Sequence, residues 1–314
     1  PRSRRLLLEF LDLPLLADQS ADDGRGFIAL HAEPWPGGAD VYRSAEEATG
    51  YALNVQVGLR ATMGETVSAL EPGRLGVWSP ETVDVRLYSG ELVGRPSRDV
   101  LDGANGLAIR HASGEWEVIQ FRGAELVDAS TWRLSGLLRG QRGTEAARAA
   151  SALPAGAAVV ALDAAVVPVE LAAANLGNFA WWKWGPTGED PGDKVFRTAS
   201  HAFRGVGRRP FAPVHLRASW AGGDLSLDWV RRTRIEGDRW DVRNPPRGEA
   251  DRLFRVEVGP EGDPVRVAEV SAAAWTYTAA DQSADGLSGP VEVRVAQLSD
   301  TWGPGTPARI TVNL

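Results

Sequence analysis

The chain has 314 residues, of which 43% are hydrophobic and 24% are charged, so it is long enough for about two domains that each bury a core. Its formal net charge of −7 disfavours anionic lipid and nucleic acid as partners of the whole chain, and we expect no sequence-specific nucleic-acid binding. The absence of cysteine excludes disulfides, thiolate catalysis and cysteine-rich zinc sites.

The first residues, PRSRRLLLEFLDLPLL, have the basic and then apolar order of a signal peptide. Glu9 and Asp12 interrupt the apolar part, and no small-residue cleavage site follows. No apolar run approaches the roughly 18 residues of a membrane helix, so we expect no membrane anchor. Because the chain begins without methionine and contains only Met63, we interpret it as a fragment of a longer protein.

Short segments in which apolar and polar residues alternate predict β-strands along most of the chain. Residues 83–87 place three apolar side chains on one face, and residues 116–121, 253–259 and 291–298 alternate in the same way. The 35 glycines and 20 prolines are scattered, as is typical of short elements joined by turns. We therefore predict an all-β chain with few short helices.

One helix is predicted after residue 144, where the alanine-rich TEAARAASALPAG begins, and Pro154 ends it. Farther on, residues 185–212 are rich in turn formers and then in basic residues. The strand pattern resumes after this break. We therefore predict a larger β-rich domain over residues 1–208 and a smaller domain over residues 209–314.

The C-terminal domain has the pattern of a β-sandwich, with six or seven short strands in about a hundred residues. The order of its signals resembles a fibronectin type III module: a proline-led first strand, Trp229 in the second and a GPG turn before the last. The tyrosine that usually opens the sixth strand of that module is replaced by Val291, and residues 231–251 are longer and more charged than the module needs.

Motifs that would carry catalysis are missing from the sequence. The stretch GLLRGQRGT lacks the lysine and the spacing of a phosphate loop, and RLSGL lacks the first glycine of a nucleophile elbow. The histidines are too far apart in sequence to predict a metal site; they are His31, His111, His201 and His215. We expect no enzymatic activity, no cofactor and no metal.

Glu115 and Glu117 share one face of a predicted strand, about 7 Å apart by strand geometry. Two carboxylates at such a distance fit glycoside hydrolysis, which is the weakest of three hypotheses for this chain. The favoured interpretation of the pair is a solvated strand face.

A second hypothesis is a carbohydrate-binding module that recognises surface polysaccharide. In the stretch FAWWKWG, Trp182 and Trp184 share a face opposite Trp181, and these tryptophans together with Trp240 are candidates for stacking on sugars. Packing in a core is the favoured use of the tryptophans. The run RRTR at 231–234 is interpreted as a solvated strand edge.

The stretch LSGLLRGQRGTE at 134–145 predicts a rigid corner between a strand and a short helix. Its three glycines permit backbone angles that other residues resist. Arg139 and Arg142 are too costly to bury alone, so we expect at least one to be buried and bonded to carbonyls or to a carboxylate such as Glu145. Thr144 is positioned to cap the helix. Arg139, Arg142 and Glu145, with Trp229 in the smaller domain, are the predicted structural residues.

Several long motifs follow one another along the chain. Besides the stretch at 134–145, they are EPWPGGADVYRS, LYSGEL, LDGANGLAI, GEWEVIQFRGAELV, LDWVRRTRIEGDRW and VAQLSDTWGPG. In this order they resemble the C-terminal part of the megatron baseplate, or tail-tip, proteins of gene transfer agents, which are grouped with phage host-specificity and tail-hub proteins. The resemblance runs through nearly the whole chain.

The resemblance implies a structural component of a phage-like tail tip that contacts the cell envelope and aids DNA delivery. It implies other baseplate and tail proteins as partners, a homotrimeric hub, and a location at the distal end of the particle after assembly in the bacterial cytoplasm. The glycoside-hydrolase-like barrel of that family lies upstream of such a segment. No stretch here matches that barrel, so no catalytic residue is carried over.

Overall fold

The computed structural model describes residues 6–16, 19–20, 23–73, 76–150, 152–235 and 254–314. The chain divides into two compact units, one comprising Pro1–Leu16 with Asp23–Gly207 and the other Ala17–Asp22 with Arg208–Leu314. The described residues form 21 strands but only three α-helices, each of at most seven residues. This confirms the predicted all-β class.

The first unit contains thirteen strands among its described residues. They are β1 (Leu7–Leu11), β2 (Phe27–His31), β3 (Ala39–Ser44), β4 (Ala52–Val57), β5 (Met63–Thr66), β6 (Val83–Leu87), β7 (Gly106–Arg110), β8 (Trp116–Asp128), β9 (Thr131–Gln141), β10 (Ala158–Ala161), β11 (Val167–Pro168), β12 (Ala180–Pro186) and β13 (Arg197–His201). Its short helices are α1 (Ser97–Leu101), α2 (Glu145–Ala150) and the 3-10 turn Ala173–Asn175, and a second 3-10 turn, Val206–Arg208, begins in this unit and ends with the first residue of Arg208–Leu314. The helix α2 ends before Pro154, as the sequence predicts.

These strands form three antiparallel arrays. Six of them close a barrel in the order β10-β5-β6-β9-β8-β7, while β1-β2-β11 and β13-β12-β3-β4 form open sheets. The barrel interior is filled by side chains from alternate positions of its strands, among them Val83, Val85, Ile109, Ile119 and Phe121, each at most 2% exposed. Closure leaves no free strand edges in the barrel except where a strand extends beyond its neighbour.

The two open sheets share a separate core. It contains Trp182 and Trp184 of β12, Phe203, and strand residues of β2 and β3. Phe10 of β1 packs against this core, with its ring 5.8 Å from that of Trp182 and 5.9 Å from that of Phe203. The core is therefore held by aromatic contacts between residues that are distant in sequence.

Gly64 of β5 is a position where the barrel tolerates only glycine. A Cβ atom there would lie 2.2 Å from the carbonyl oxygen of Arg86 on the neighbouring strand, so the backbone would have to shift. We expect Gly64→Ala to lower the free energy of unfolding by about 1–3 kcal/mol, the usual cost of overpacking. Urea unfolding followed by circular dichroism measures it.

Gly58→Ala is the matched control for this prediction, because a Cβ atom at Gly58 meets nothing within 4 Å. We expect the control to stay within about 0.5 kcal/mol of the wild type. Equal effects of the two substitutions would contradict the close approach of β5 to β6.

The second unit is a β-sandwich. Its described strands are β14 (Val214–Ala221), β15 (Asp224–Val230), β16 (Phe254–Val258), β17 (Arg266–Val270), β18 (Ala274–Tyr277), β19 (Pro290–Ser299), β20 (Gly303–Pro304) and β21 (Ala308–Asn313), and α3 (Ala279–Asp285) precedes β19. One sheet has the order β14-β15-β18; in the other, β17-β16-β19-β20 is extended by β21, which pairs with β19.

The two sheets enclose a core of Leu225, Leu227 and Trp229 from one sheet and valines such as Val256 and Val293 from the other. The first, second and fifth strands face the third, fourth, sixth and last, which is the arrangement of a fibronectin type III module. The β-sandwich predicted for the C-terminal domain is therefore confirmed.

Candidate functional site

Three neighbouring strands of the barrel, β7, β8 and β9, bring polar side chains together at one end of the barrel. The chain leaves β7, enters β8 and leaves β9 at this end, because these neighbours are antiparallel. Each of the three polar residues stands two positions from a residue of the barrel core and therefore points to the interior. They are His111 after Ile109, Glu117 before Ile119, and Arg139 after Leu137.

Arg139 and Glu117 form a two-bond ion pair. Arg139 donates from Nε to Glu117 Oε1 and from Nη2 to Glu117 Oε2, both at 2.7 Å. The third guanidinium bond goes from Nη1 to the carbonyl oxygen of Glu71 at 2.8 Å. The backbone N–H of Gly140 donates to Glu117 Oε1 at 2.9 Å, and His111 Nε2 lies 3.0 Å from Glu117 Oε2. We call Glu117, Arg139 and His111 the ionic cluster.

The ionic cluster is sealed from solvent, since all three of its side chains are 0% exposed. A carboxylate can only accept, so His111 Nε2 carries the proton that it donates to Glu117. His111 Nδ1 is buried and has no hydrogen-bond partner among the described residues. Charges are costly to bury, and here the charge of Arg139 balances that of Glu117. The cluster therefore depends on both members of the ion pair.

Electrostatics keep Glu117 ionised. Burial raises the pKa of its carboxyl, but the hydrogen bonds from Arg139 and His111 outweigh that effect and leave the pKa below its ordinary value. A buried carboxylate with a lowered pKa is a poor proton donor and has no access to a substrate. Its chemistry is that of a fixed counterion for Arg139.

This lowered pKa predicts acid sensitivity. The pKa of Glu117 is lower in the folded chain than in the unfolded one, where it is about 4.3, so its stabilising contribution is complete above that pH. The contribution is lost as the pH falls through the folded pKa. We expect the difference in unfolding free energy between wild type and Glu117→Gln to be constant from pH 7 to 5 and to shrink below about pH 4. Urea unfolding at a series of pH values measures it, and a difference that stays constant down to pH 2 would contradict the assignment.

The glycine- and arginine-rich stretch is the corner that the sequence predicts. It comprises the end of β9, a turn and the start of α2. Gly140 and Arg142 adopt positive φ angles of 61° and 55°, and Arg142 donates to the carbonyl oxygen of Leu15 at 3.2 Å. Arg139 is the buried arginine, but its carboxylate partner is Glu117 rather than Glu145.

Thr144 makes different bonds from those of the predicted helix cap. Its hydroxyl donates to the carbonyl oxygen of Gln141 at 2.7 Å and accepts from the backbone N–H of Val118 at 3.0 Å. It thus joins the turn after β9 to β8. Arg148, in α2, donates to the carbonyl oxygens of Pro72 and Gly73 at 2.7 and 2.6 Å, which ties the helix to the loop over this end of the barrel.

The interpretation of Glu115 and Glu117 as a solvated strand face is wrong for Glu117. The side chain of Glu117, at the start of β8, points into the closed barrel. The ion pair with Arg139 offsets the free-energy cost of burying this carboxylate. Glu115 lies just before β8 and accepts from Arg204 at 3.5 Å. Period-two alternation places the two residues on one side of a strand but does not show that this side is enclosed.

The candidate sugar-stacking tryptophans separate into three groups. Trp182 and Trp184 are 1% and 8% exposed and donate their indole N–H groups to the carbonyl oxygens of His201 and Leu6. Stacking on a glycan is therefore wrong for these two, because the sheet buries their face. Trp181 points to the other face and is partly exposed, while Trp240 lies outside the described residues. Trp229 is 4% exposed in the core of the sandwich.

In the described ranges, no three or more His, Asp or Glu side chains come together as a group that could hold a metal ion. Each described helix is too short or too polar to cross a membrane.

Residues 61–160 match the model of a protein family described as Rcc01698-like, C-terminal. The match begins just before β5 and ends in β10, so it coincides with the barrel and includes the whole ionic cluster. It covers 100 of the 314 residues.

Among curated proteins, none matches this chain. One similar solved structure is the full ectodomain of mouse nectin-like molecule 4, comprising Ig1–Ig3, with 11% identity over 99% of this chain and 80% of that chain. Its TM-score of 0.17 is too low to carry an argument. The family match covers the barrel, and the name of that family is associated with gene transfer agents.

Proposed function

We propose that this chain is a structural component of the tail tip of a phage-like particle of the gene-transfer-agent type, part of a baseplate hub that contacts the cell envelope and aids DNA delivery. The observation that carries the proposal is the family match over the barrel, because the name of that family is associated with gene transfer agents. The longer motifs that resemble megatron baseplate proteins support the same role.

The architecture suits a structural part. A closed barrel exposes few unpaired strand edges and resists unintended pairing with other sheets. The ionic cluster joins three strands and the loop that contains Glu71 at one end of the barrel. Because a misplaced strand would leave a buried charge unpaired, we infer that the cluster fixes the register of β7, β8 and β9.

Under this proposal the partners are other baseplate and tail proteins together with further copies of the chain, arranged as a homotrimeric hub. The location is the distal tail tip of the particle, assembled in the bacterial cytoplasm and then released. The chain itself has no catalytic role. A stable contact between copies should bury more than about 1,000 Å² in total.

The test is to raise an antibody against the chain and label purified particles for electron microscopy. We expect the label at the tail end distal to the head, and we expect particles from a deletion strain to lack the label and to lose marker transfer. Complementation with the wild-type gene should restore both. Label on the head, or normal marker transfer by the deletion strain, would contradict the tail-tip role.

A further inference from the structure

The solvent side of the sheet β13-β12-β3-β4 has an unusual composition. Its other side packs Trp182 and Trp184 into the core, so Trp181 and Lys183, at the alternate positions of β12, point outward. The register sets Lys183 of β12 between Tyr42 of β3 and Thr198 of β13, and it sets Trp181 between Ser44 and Ser200. Aromatic, basic and small hydroxyl side chains therefore meet on this side, where Ser44 is itself buried.

Tyr51 extends the aromatic surface. It precedes β4, and Lys183 Nζ lies 4.3 Å from the centroid of its ring. The ring of Tyr42 lies 6.1 Å from that of Phe196 in an edge-on arrangement. Tyr42, Tyr51, Trp181 and Lys183 are all partly exposed. We call these four residues the outer aromatic face.

The outer aromatic face contains hydrogen-bond donors that the described part of the fold does not use. Trp182 and Trp184 donate their indole N–H groups to carbonyl oxygens, whereas the indole N–H of Trp181 and the hydroxyl of Tyr42 have no acceptor among the described residues. In the same residues Lys183 forms no ion pair with a carboxylate. Three donors, one of them charged, are thus available to a ligand that presents oxygen atoms.

The surroundings keep the hydroxyl of Tyr42 protonated. Burial raises the pKa of Tyr42, and the carboxylates of Asp40 and Asp190 raise it further, so its hydroxyl donates at neutral pH. Asp40 Oδ1 already accepts from Gln56 at 2.9 Å and from Thr187 at 2.8 Å. Among the four residues of the outer aromatic face, Lys183 carries the charge. The carboxylates of Asp190 and Glu47 lie close enough to Tyr42 and Tyr51 to raise the pKa values of their hydroxyls.

We infer that the outer aromatic face binds an acidic polysaccharide. Aromatic rings with a polar edge suit the alternating C–H and hydroxyl surfaces of a sugar. The ammonium of Lys183, which pairs with no carboxylate among the described residues, complements a carboxylate on the sugar, and its contact with the ring of Tyr51 holds it in place. The inference is independent of the proposed function, because it rests on this sheet and not on the barrel.

The test is affinity electrophoresis of the full chain in gels that contain alginate, a polyuronate, or dextran, a neutral glucan. We expect alginate but not dextran to retard the wild type. We expect Trp181→Ala to weaken alginate binding about tenfold or more, the size of effect that removing a central interface aromatic produces. Lys183→Gln should weaken alginate binding and remove most of its dependence on salt.

Trp220→Ala is the matched control, because Trp220 is 50% exposed in the second unit and its removal should leave the retardation unchanged. Circular dichroism checks the fold of each variant, and Lys183→Gln tests the site even if Trp181→Ala fails to fold. No retardation of the wild type by alginate, or equal loss in Trp181→Ala and Trp220→Ala, would overturn the inference. Equal retardation by dextran would overturn the assignment of an acidic ligand.

Discussion

Arg139→Ala should lower the free energy of unfolding of the chain by about 3–5 kcal/mol, the range for removing one member of a buried ion pair. The substitution removes three hydrogen bonds and leaves the carboxylate of Glu117 inside the barrel without its counterion. His111 and the N–H of Gly140 still contact that carboxylate, but neither supplies the fixed positive charge of a guanidinium. Urea unfolding at pH 7, followed by circular dichroism, measures the change.

Arg142→Ala is the control within the same stretch. Arg142 is partly buried, and within the described residues its side chain makes one hydrogen bond, of 3.2 Å to the carbonyl oxygen of Leu15, so its loss should cost about 1 kcal/mol. If Arg139→Ala is as stable as Arg142→Ala or more so, the ionic cluster does not stabilise the barrel.

A double-mutant cycle identifies the source of the effect. Because Glu117→Leu combined with Arg139→Met removes both charges and keeps apolar bulk, we expect the double variant to be more stable than the sum of the two single losses predicts. Additive losses would mean that the two residues stabilise the barrel independently.

Trp229→Ala should destabilise the second unit by about 3–5 kcal/mol, as is usual for truncating a buried aromatic residue. Trp229 is 4% exposed and packs edge-on against Phe254, with ring centroids 5.2 Å apart. The substitution removes this contact and opens a cavity between the two sheets. Thermal unfolding of the full chain should then show an earlier transition for the second unit, with the transition of the first unit unchanged.

Two further variants sharpen this prediction. Trp220→Ala removes a tryptophan that is 50% exposed, and it should change stability by less than about 0.5 kcal/mol. The indole nitrogen of Trp229 is buried and has no hydrogen-bond partner in the described part of the chain. Trp229→Phe should therefore cost much less than Trp229→Ala, because it also removes an unsatisfied donor. Equal losses in the alanine and phenylalanine variants would contradict the assignment of ring packing as the main contribution.

The local elements of this chain follow from the order of its residues. Period-two alternation in residues 83–87 and 116–121 predicts β6 and the start of β8, because side chains of a strand point alternately to its two sides. Pro154 limits the helix after β9, since proline has no N–H to donate within a helix. Trp229 reaches the sandwich core as its pattern indicates, because its side of β15 also carries Leu225 and Leu227.

Which sides of the strands are enclosed depends on contacts between residues that are distant in sequence. Alternation groups Glu117 with Ile119, but the burial of Glu117 depends on Arg139, 22 residues away in sequence, and on closure of the barrel by pairing of β10 with both β5 and β7. In WWKW the alternation separates Trp181 from Trp182 and Trp184 without showing which side faces the core. The packing of β1 and β2 against one side of the sheet buries Trp182 and Trp184 and leaves Trp181 on the other side. Burial depends on which elements pack against a strand, and long-range contacts determine those neighbours.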